Sequence, residues 1–236
     1  LTDKKGWWNF ILPVDINQDG NIDLVAGNMG LNNFMRPSEK QPVNMYYYDF
    51  DGNGKKEQIV TYYQAGKKIP LAGIEEIEKK LPGLKKKFLY AGDFAKASLD
   101  EIFSHEKLSR ADSFSATSFA NSLLLNNGTN HFETMDLPWQ AQLSTMRDAV
   151  VVNANGDSLP DLLLFGNYYE NSVEMGRNDA DYGTLLVNKG GGRFSASGIP
   201  GLVIKGQVRH VRPIKIGKRD AFVLARNNDT VMVIAF

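Results

Sequence analysis

Three stretches of this chain place oxygen-bearing side chains at every second position, a spacing that suits a hard cation. The first holds Asp15, Asn17, Asp19, Asn21 and Asp23, with Gly20 at its sixth position. Calcium takes about six to eight oxygen ligands at about 2.3–2.6 Å, and alternate residues of a tight turn can aim their oxygens at one centre. Glycine lets the backbone go left-handed at the sharpest bend. The seventh position, Asn21, would contribute its backbone carbonyl, which leaves its side chain free.

The second stretch, Asp49, Asp51, Asn53, Lys55 and Glu57, keeps the spacing, with Gly54 at position six and Lys55 at the carbonyl position. The third is Asn153, Asn155, Asp157, Leu159 and Asp161. It lacks glycine at position six, and asparagines stand at positions one and three. Its ligand side chains carry fewer formal negative charges than those of the other two. It is expected to bind a cation most weakly or to serve only as a turn.

Two competing readings bear on these loops. An EF-hand would need a bidentate glutamate at position twelve and a helix on each side. Ala26, Val60 and Leu164 stand there instead, and the flanks read as strands. Asp, Asn and Gly also make turns with no metal involved, but three loops on one template favour a shared function.

Other chemistry is sparse. His105, His131 and His210 are the only histidines, and none has a partner at metal or triad spacing. There is no His-Glu-x-x-His and no Gly-x-Ser-x-Gly. His131 reads as a surface residue of a turn. His210, between Arg209 and Arg212, reads as part of an exposed strand face, with anion binding as the alternative. Lys85, Lys86 and Lys87 read as a solvated helix face. Trp7, Trp8, Tyr46, Tyr47, Tyr48, Tyr62, Tyr63, Trp139, Tyr168 and Tyr169 offer flat faces for stacking on sugar rings. Tyr46 and Tyr48 are expected to pack between sheets, and Tyr168 and Tyr169, at a strand end, to be exposed.

Composition narrows the class. The chain has 236 residues, of which 42% are hydrophobic, enough for a real core. Lysine plus arginine equals aspartate plus glutamate at 27 each, which argues against nucleic acid or an anionic membrane as the main partner. With no cysteine, disulfides, thiol catalysis and cysteine-based zinc sites are excluded. No apolar run reaches the roughly 20 residues that span a bilayer. Because the chain begins with Leu1, a mature or truncated product is expected, with any address signal removed from view.

The elements that must position the loops are short strands. Runs rich in branched and aromatic residues cover 7–14, 22–26, 43–50, 58–63, 122–125, 149–152, 162–165, 184–187, 221–225 and 231–236, punctuated by Gly, Asn and Asp. Between about 74 and 104 the apolar spacing turns helical, at Ile74, Ile77, Leu81, Leu84 and Phe88. Pro82 and Gly83 should split it into two short helices, and a further helix is expected over 94–103.

Repeats tie the strands together. Besides the Asx loops, Gly-Asn closes a strand at Gly27-Asn28 and at Gly166-Asn167. An Asn-x-Gly-x-x-x-Phe turn occurs at Asn126–Phe132 and again at Asn188–Phe194. Taking the interval between those turns as the repeat length divides the chain at 7–64, 67–135, 138–198 and 207–236. That gives about three and a half four-stranded units, short of the roughly 4–8 blades of a closed propeller.

The pattern Asp-x-Asn-x-Asp-Gly-x-x-Asp, followed by Leu-Val or Leu-Leu and then Gly-Asn, resembles the FG-GAP/VCBS repeat of integrin-α-like propellers. Gly27-Asn28-Met29-Gly30-Leu31-Asn32, Pro42-Val43 and Asn126-Asn127-Gly128 are similar to secreted VCBS-repeat proteins of the Bacteroidetes. The resemblance covers nearly the whole chain outside the helical stretch. It implies an all-β, β-propeller fold with calcium in the hairpins, a single domain or the C-terminal part of one over 1–236, and an extracytoplasmic location. Missing N-terminal blades or a partner chain would close the ring. The expected function is a calcium-stabilised module for adhesion, scaffolding or binding of a protein or glycan ligand, without enzymatic activity. The alternative is a polysaccharide lyase or glycosidase whose site is assembled between blades.

Overall fold

The computed structural model describes residues 4–129, 131–199 and 201–235. In chain order the first elements are β1 (Phe10–Val14), β2 (Asp23–Gly27), β3 (Val43–Tyr48), β4 (Glu57–Gln64) and β5 (Lys67–Pro70). Five short helices follow: α1 (Ile74–Lys80), α2 (Leu84–Lys87), α3 (Ala91–Lys96), α4 (Leu99–Phe103) and α5 (His105–Arg110). The chain then returns to strands with β6 (Asp112–Ala116), β7 (Ser122–Asn126), β8 (Phe132–Asp136), β9 (Met146–Val152) and β10 (Asp161–Gly166). It closes with β11 (Thr184–Asn188), β12 (Phe194–Ser197), β13 (Val208–Ile216), β14 (Arg219–Arg226) and β15 (Met232–Ala235). Phe236, expected to end the last strand, lies outside the described residues, as does Leu1. Among the described residues no helix is long and apolar enough to cross a membrane.

The chain divides into two compact units, one built from Trp7–Asn33 and Phe119–Phe236, the other centred on Phe34–Ser118. The first unit holds three antiparallel sheets, with strand orders β1-β2-β7-β8, β12-β11-β10-β9 and β13-β14-β15. Strand period decides how they stack. On β10, Leu162 and Leu164 turn to a core shared with Val25, Leu123, Met146 and Leu186. Leu163 and Phe165 turn the other way, to a core with Ile204, Val211, Leu224 and Ile234. Successive residues of a strand face opposite sides, so a strand buried on both faces reads as a continuous apolar run. That is why Leu162–Phe165 shows no alternation in sequence. The first strands of the three sheets are neighbours, β1 beside β9 and β9 beside β13.

Two glycines are fixed by close approach. A Cβ on Gly27 would sit 2.0 Å from the Phe10 ring, and one on Gly166 would sit 2.0 Å from the Thr145 carbonyl. The asparagines that follow are buried hubs. Asn28 Oδ1 accepts the N–H groups of Trp7 and Met29. Asn167 Nδ2 donates to the carbonyls of Asp181 and Gly206. The repeated Gly-Asn pair is therefore a strand-end clamp. Buried Asp148 works similarly between β9 and β13, accepting from the Val211 amide and the Arg212 guanidinium.

The second unit is one sheet, β5-β4-β3-β6, with the five helices against one face. Ile77, Leu81, Leu84, Phe94 and Ile102 pack on Phe50 and Ile59. Tyr46 and Tyr48 join this helix-facing cluster, so they pack against helices and not between sheets as expected.

The expected break at Pro82-Gly83 separates α1 from α2. The expected helix over 94–103 is two helices, because Ser98 caps α4. Its hydroxyl accepts the Glu101 amide while the Glu101 carboxylate accepts the Ser98 amide. Such a capping box starts a helix, and Ser-x-x-Glu was legible in the sequence. The helical stretch also continues through α5, past its expected end near 104.

The repeat division is corrected as well. The sheet β1-β2-β7-β8 takes its first pair from residues 10–27 and its second from 122–136, and the second unit intervenes in the chain. An interval measured between turns cannot reveal an insertion lying upstream of both.

Candidate metal centre

Each Asx loop joins the two strands of a hairpin: 15–23 links β1 to β2, 49–57 links β3 to β4, and 153–161 links β9 to β10. One hydrogen-bond template serves all three. The position-seven amides of Asn21, Lys55 and Leu159 donate to the position-five side chains of Asp19, Asn53 and Asp157, each at 2.8 Å. The position-five amides donate to Asn17, Asp51 and Asn155 at position three, at 3.0–3.2 Å. The carboxylate at position nine accepts the amide at position two: Asp23 from Ile16, Glu57 from Phe50 and Asp161 from Ala154. The sequence spacing therefore corresponds to one local geometry, held by the side chains themselves.

Position one separates the loops. Asp15 accepts from the Asp19 and Gly20 amides, and Asp49 accepts from Gly52, Asn53 and Gly54. Asn153 accepts from Gly156 but spends its amide nitrogen on the Asp157 carbonyl. Loops one and two are left-handed at positions four and six, at Gln18 and Gly20 and at Gly52 and Gly54. Loop three is left-handed only at Gly156, because Ser158 replaces the glycine at position six.

The loops differ most in how their carboxylates gather. In loop two, Asp49, Asp51 and Glu57 each offer an oxygen, and these lie within 4.8 Å of one another. Among the described residues this is the group of three acidic side chains so placed; Asp15, Asp19 and Asp23 do not form one. Hydrogen bonds to the Asp49 carboxylate, first from the Gly54 amide, hold its pKa below the ordinary value. Asp19 is lowered likewise, chiefly by the Asn21 amide. Both stay ionised at neutral pH. With Asn53 and the Lys55 carbonyl nearby in the turn, the donor set of loop two is all oxygen and net anionic. That chemistry fits a hard divalent cation.

One partner escaped the sequence reading. Position nine has a second backbone contact in the first unit: the Asn126 amide donates to Asp23 and the Asn188 amide to Asp161, both at 2.8 Å. The same asparagines reach back to position eight, with Asn126 Nδ2 on the Ile22 carbonyl and Asn188 Nδ2 on the Pro160 carbonyl. Asn188 Nδ2 also donates to the Ile16 carbonyl of loop one. The repeated Asn-x-Gly turn and the Asx loop are thus two halves of one device, and their joint recurrence was the available signal.

The remaining candidates fall into place. His131 is exposed in its turn. His210 and Arg212 both face Asp148, at 3.5 and 2.7 Å, so a carboxylate of the protein occupies the place of an anion. Lys85, Lys86 and Lys87 are exposed. Tyr168 and Tyr169, expected to be exposed, are instead half-buried, because guanidinium groups cover them: Arg147 and Arg209 stand over Tyr168, and Arg177 over Tyr169. No family model, curated protein or solved structure matches the chain.

Proposed function

We propose that this chain is a calcium-stabilised binding module of the FG-GAP/VCBS propeller type, acting outside the cytoplasm on a protein or glycan ligand. The observation that carries the reading is the hydrogen-bond template common to the three hairpin loops, with three carboxylates converging in loop two. Two further features support it. The first strands of the three sheets of one unit stand side by side, as blades do around a propeller axis. Loop and turn recur together in two of those sheets.

A cation in loop two would be held by Asp49, Asp51, Asn53 and Glu57 with the Lys55 carbonyl, and its part would be to neutralise charge and stiffen the β3–β4 hairpin. Asp15, Asn17, Asp19 and Asp23 supply a second, looser set. The loop tips are exposed, with only the closing carboxylates buried, and each loop carries few carboxylates, which favours weak sites. Weak calcium sites fill where the ion is abundant, as in extracellular modules, and this supports the extracytoplasmic assignment.

Urea unfolding with and without a chelator tests the reading. Calcium at a hundredfold excess over its Kd should add about 2.7 kcal/mol to the stability of the unit that binds it. Identical curves, with no calcium found at Asp49 by crystallography, would sink it. Release of new reducing ends from a polysaccharide panel would overturn the binding-only assignment.

A further inference from the structure

At the opposite end of the first unit's strands from loops one and three lies a cleft of about 320 Å³. Its walls come from the segment before β1, the segment after β2, the start of β9 and the segment after β10. These are the ends that the Gly-Asn clamps hold, so the walls are rigidly based. A volume near 300 Å³ lies at the small end of ligand sites, the scale of one or two sugar rings.

The lining combines three chemistries. Trp7 and Tyr168 provide aromatic surface, and Trp7 is itself braced against Phe119 with ring centroids 4.7 Å apart. Asn9, Asn171 and Ser172 provide neutral hydrogen-bonding groups. Asn171 Nδ2 is buried and has no acceptor among the described residues, a donor that costs free energy until something fills its place. Arg147 provides charge.

The charge balance around Arg147 is uneven. Glu170, the carboxylate of the lining, is already engaged: Gln207 donates to one oxygen at 3.0 Å and Arg209 to the other at 2.9 Å. Arg147 gives one N–H to Asn9 Oδ1 at 2.7 Å; Glu170 attracts it across the cleft, but among the described residues no carboxylate forms a close ion pair with it. Half-buried, it loses water on its aromatic side to Tyr168, and burial is the first cause lowering its pKa. A guanidinium has five N–H donors in a planar fork that matches a carboxylate, and most of this fork is unspent.

We propose that this cleft binds a carboxylated sugar, a uronate unit of a glycan, with its carboxylate on Arg147 and its ring against Trp7. A uronate unites what the lining asks for: an apolar ring face, hydroxyls for Asn9, Asn171 and Ser172, and one planar anion. The inference rests on the binding-module reading and supplies its ligand class.

Titration calorimetry with trisaccharides of galacturonate and of glucuronate, against neutral trisaccharides of matching linkage, tests it. Uronates should bind at least about tenfold more tightly than the neutral sugars, a difference of about 1.4 kcal/mol. Arg147→Met should abolish that preference, and Arg147→Lys should restore part of it, since lysine keeps the charge but not the fork. Trp7→Ala should weaken charged and neutral sugars alike. Equal affinity for neutral and acidic sugars, no heat from any uronate, or an unchanged preference in Arg147→Met would each overturn the proposal. Calcium-dependent unfolding, measured on every variant, keeps the two readings apart. If calcium stabilises the protein and no uronate binds, the ligand assignment alone has failed. If uronates bind without a calcium response, the metal reading alone has failed.

Discussion

Asp161 closes loop three by giving one oxygen to the Ala154 amide and the other to the Asn188 amide of the neighbouring strand end. Glu57 closes loop two from the same position, but it accepts one backbone amide, that of Phe50, and stands with Asp49 and Asp51. The difference follows from what lies beyond the hairpin. In the sheet of β9–β12 an Asn-x-Gly turn returns beside the loop and claims the carboxylate. In the sheet of β3–β6 the chain runs from β5 into helices, and no such turn arrives. A closing carboxylate is a backbone brace first, and it is freest to become a metal ligand where no neighbouring strand takes its second oxygen.

The largest effect should come from breaking the brace. Asp161→Ala leaves the buried Asn188 amide and the part-buried Ala154 amide without acceptors, and a buried donor left unsatisfied costs about 1–3 kcal/mol, a part-buried one less. A loss of about 4 kcal/mol in urea unfolding is expected, and calcium should not restore it. A loss below about 1 kcal/mol would show that the two bonds do not brace the sheet.

Asp181 extends the comparison to a buried carboxylate outside the loops. It accepts from the Gly166 and Gly183 amides and the Thr184 hydroxyl, and burial pushes its pKa from 3.8 up to about 6. The native state keeps this proton after the unfolded chain has released it. The contribution of Asp181 to stability therefore falls as pH rises from about 4 to about 6 and stays lower above that. Two pKa units correspond to about 3 kcal/mol. Asp181→Asn should flatten stability across this window, and an unchanged pH profile would refute the assignment.

The subtlest change is Glu57→Gln. The amide oxygen of glutamine can still accept from Phe50, so stability in chelator should stay within about 1 kcal/mol of the parent. The stabilisation by calcium should be lost, because one of three converging charges is gone. If the variant collapses in chelator, Glu57 is a brace like Asp161. If it keeps the full calcium response, loop two is not the site.

Much of this was legible in the chain itself. The strand runs, the break at Pro82-Gly83 and the three Asx loops follow from side-chain chemistry acting over a few residues, which local sequence records. The capping box at Ser98 was legible too, although the helical periodicity masked it. The insertion between β2 and β7 was not, because strand pairing joins Ala26 to Ser122 across the whole second unit, and no local pattern encodes that partner.

The oxygen spacing of the three loops was thus set by sequence alone, since Asx turns are satisfied within nine residues. Which carboxylate braces a sheet and which is left to gather a cation was decided only by tertiary structure, because the second amide arrives from a strand far along the chain. The cleft of Trp7, Arg147 and Tyr168 was decided in the same way. Its residues are ordinary one by one, and only the packing of two sheets leaves a guanidinium fork half-dry without a close ion pair.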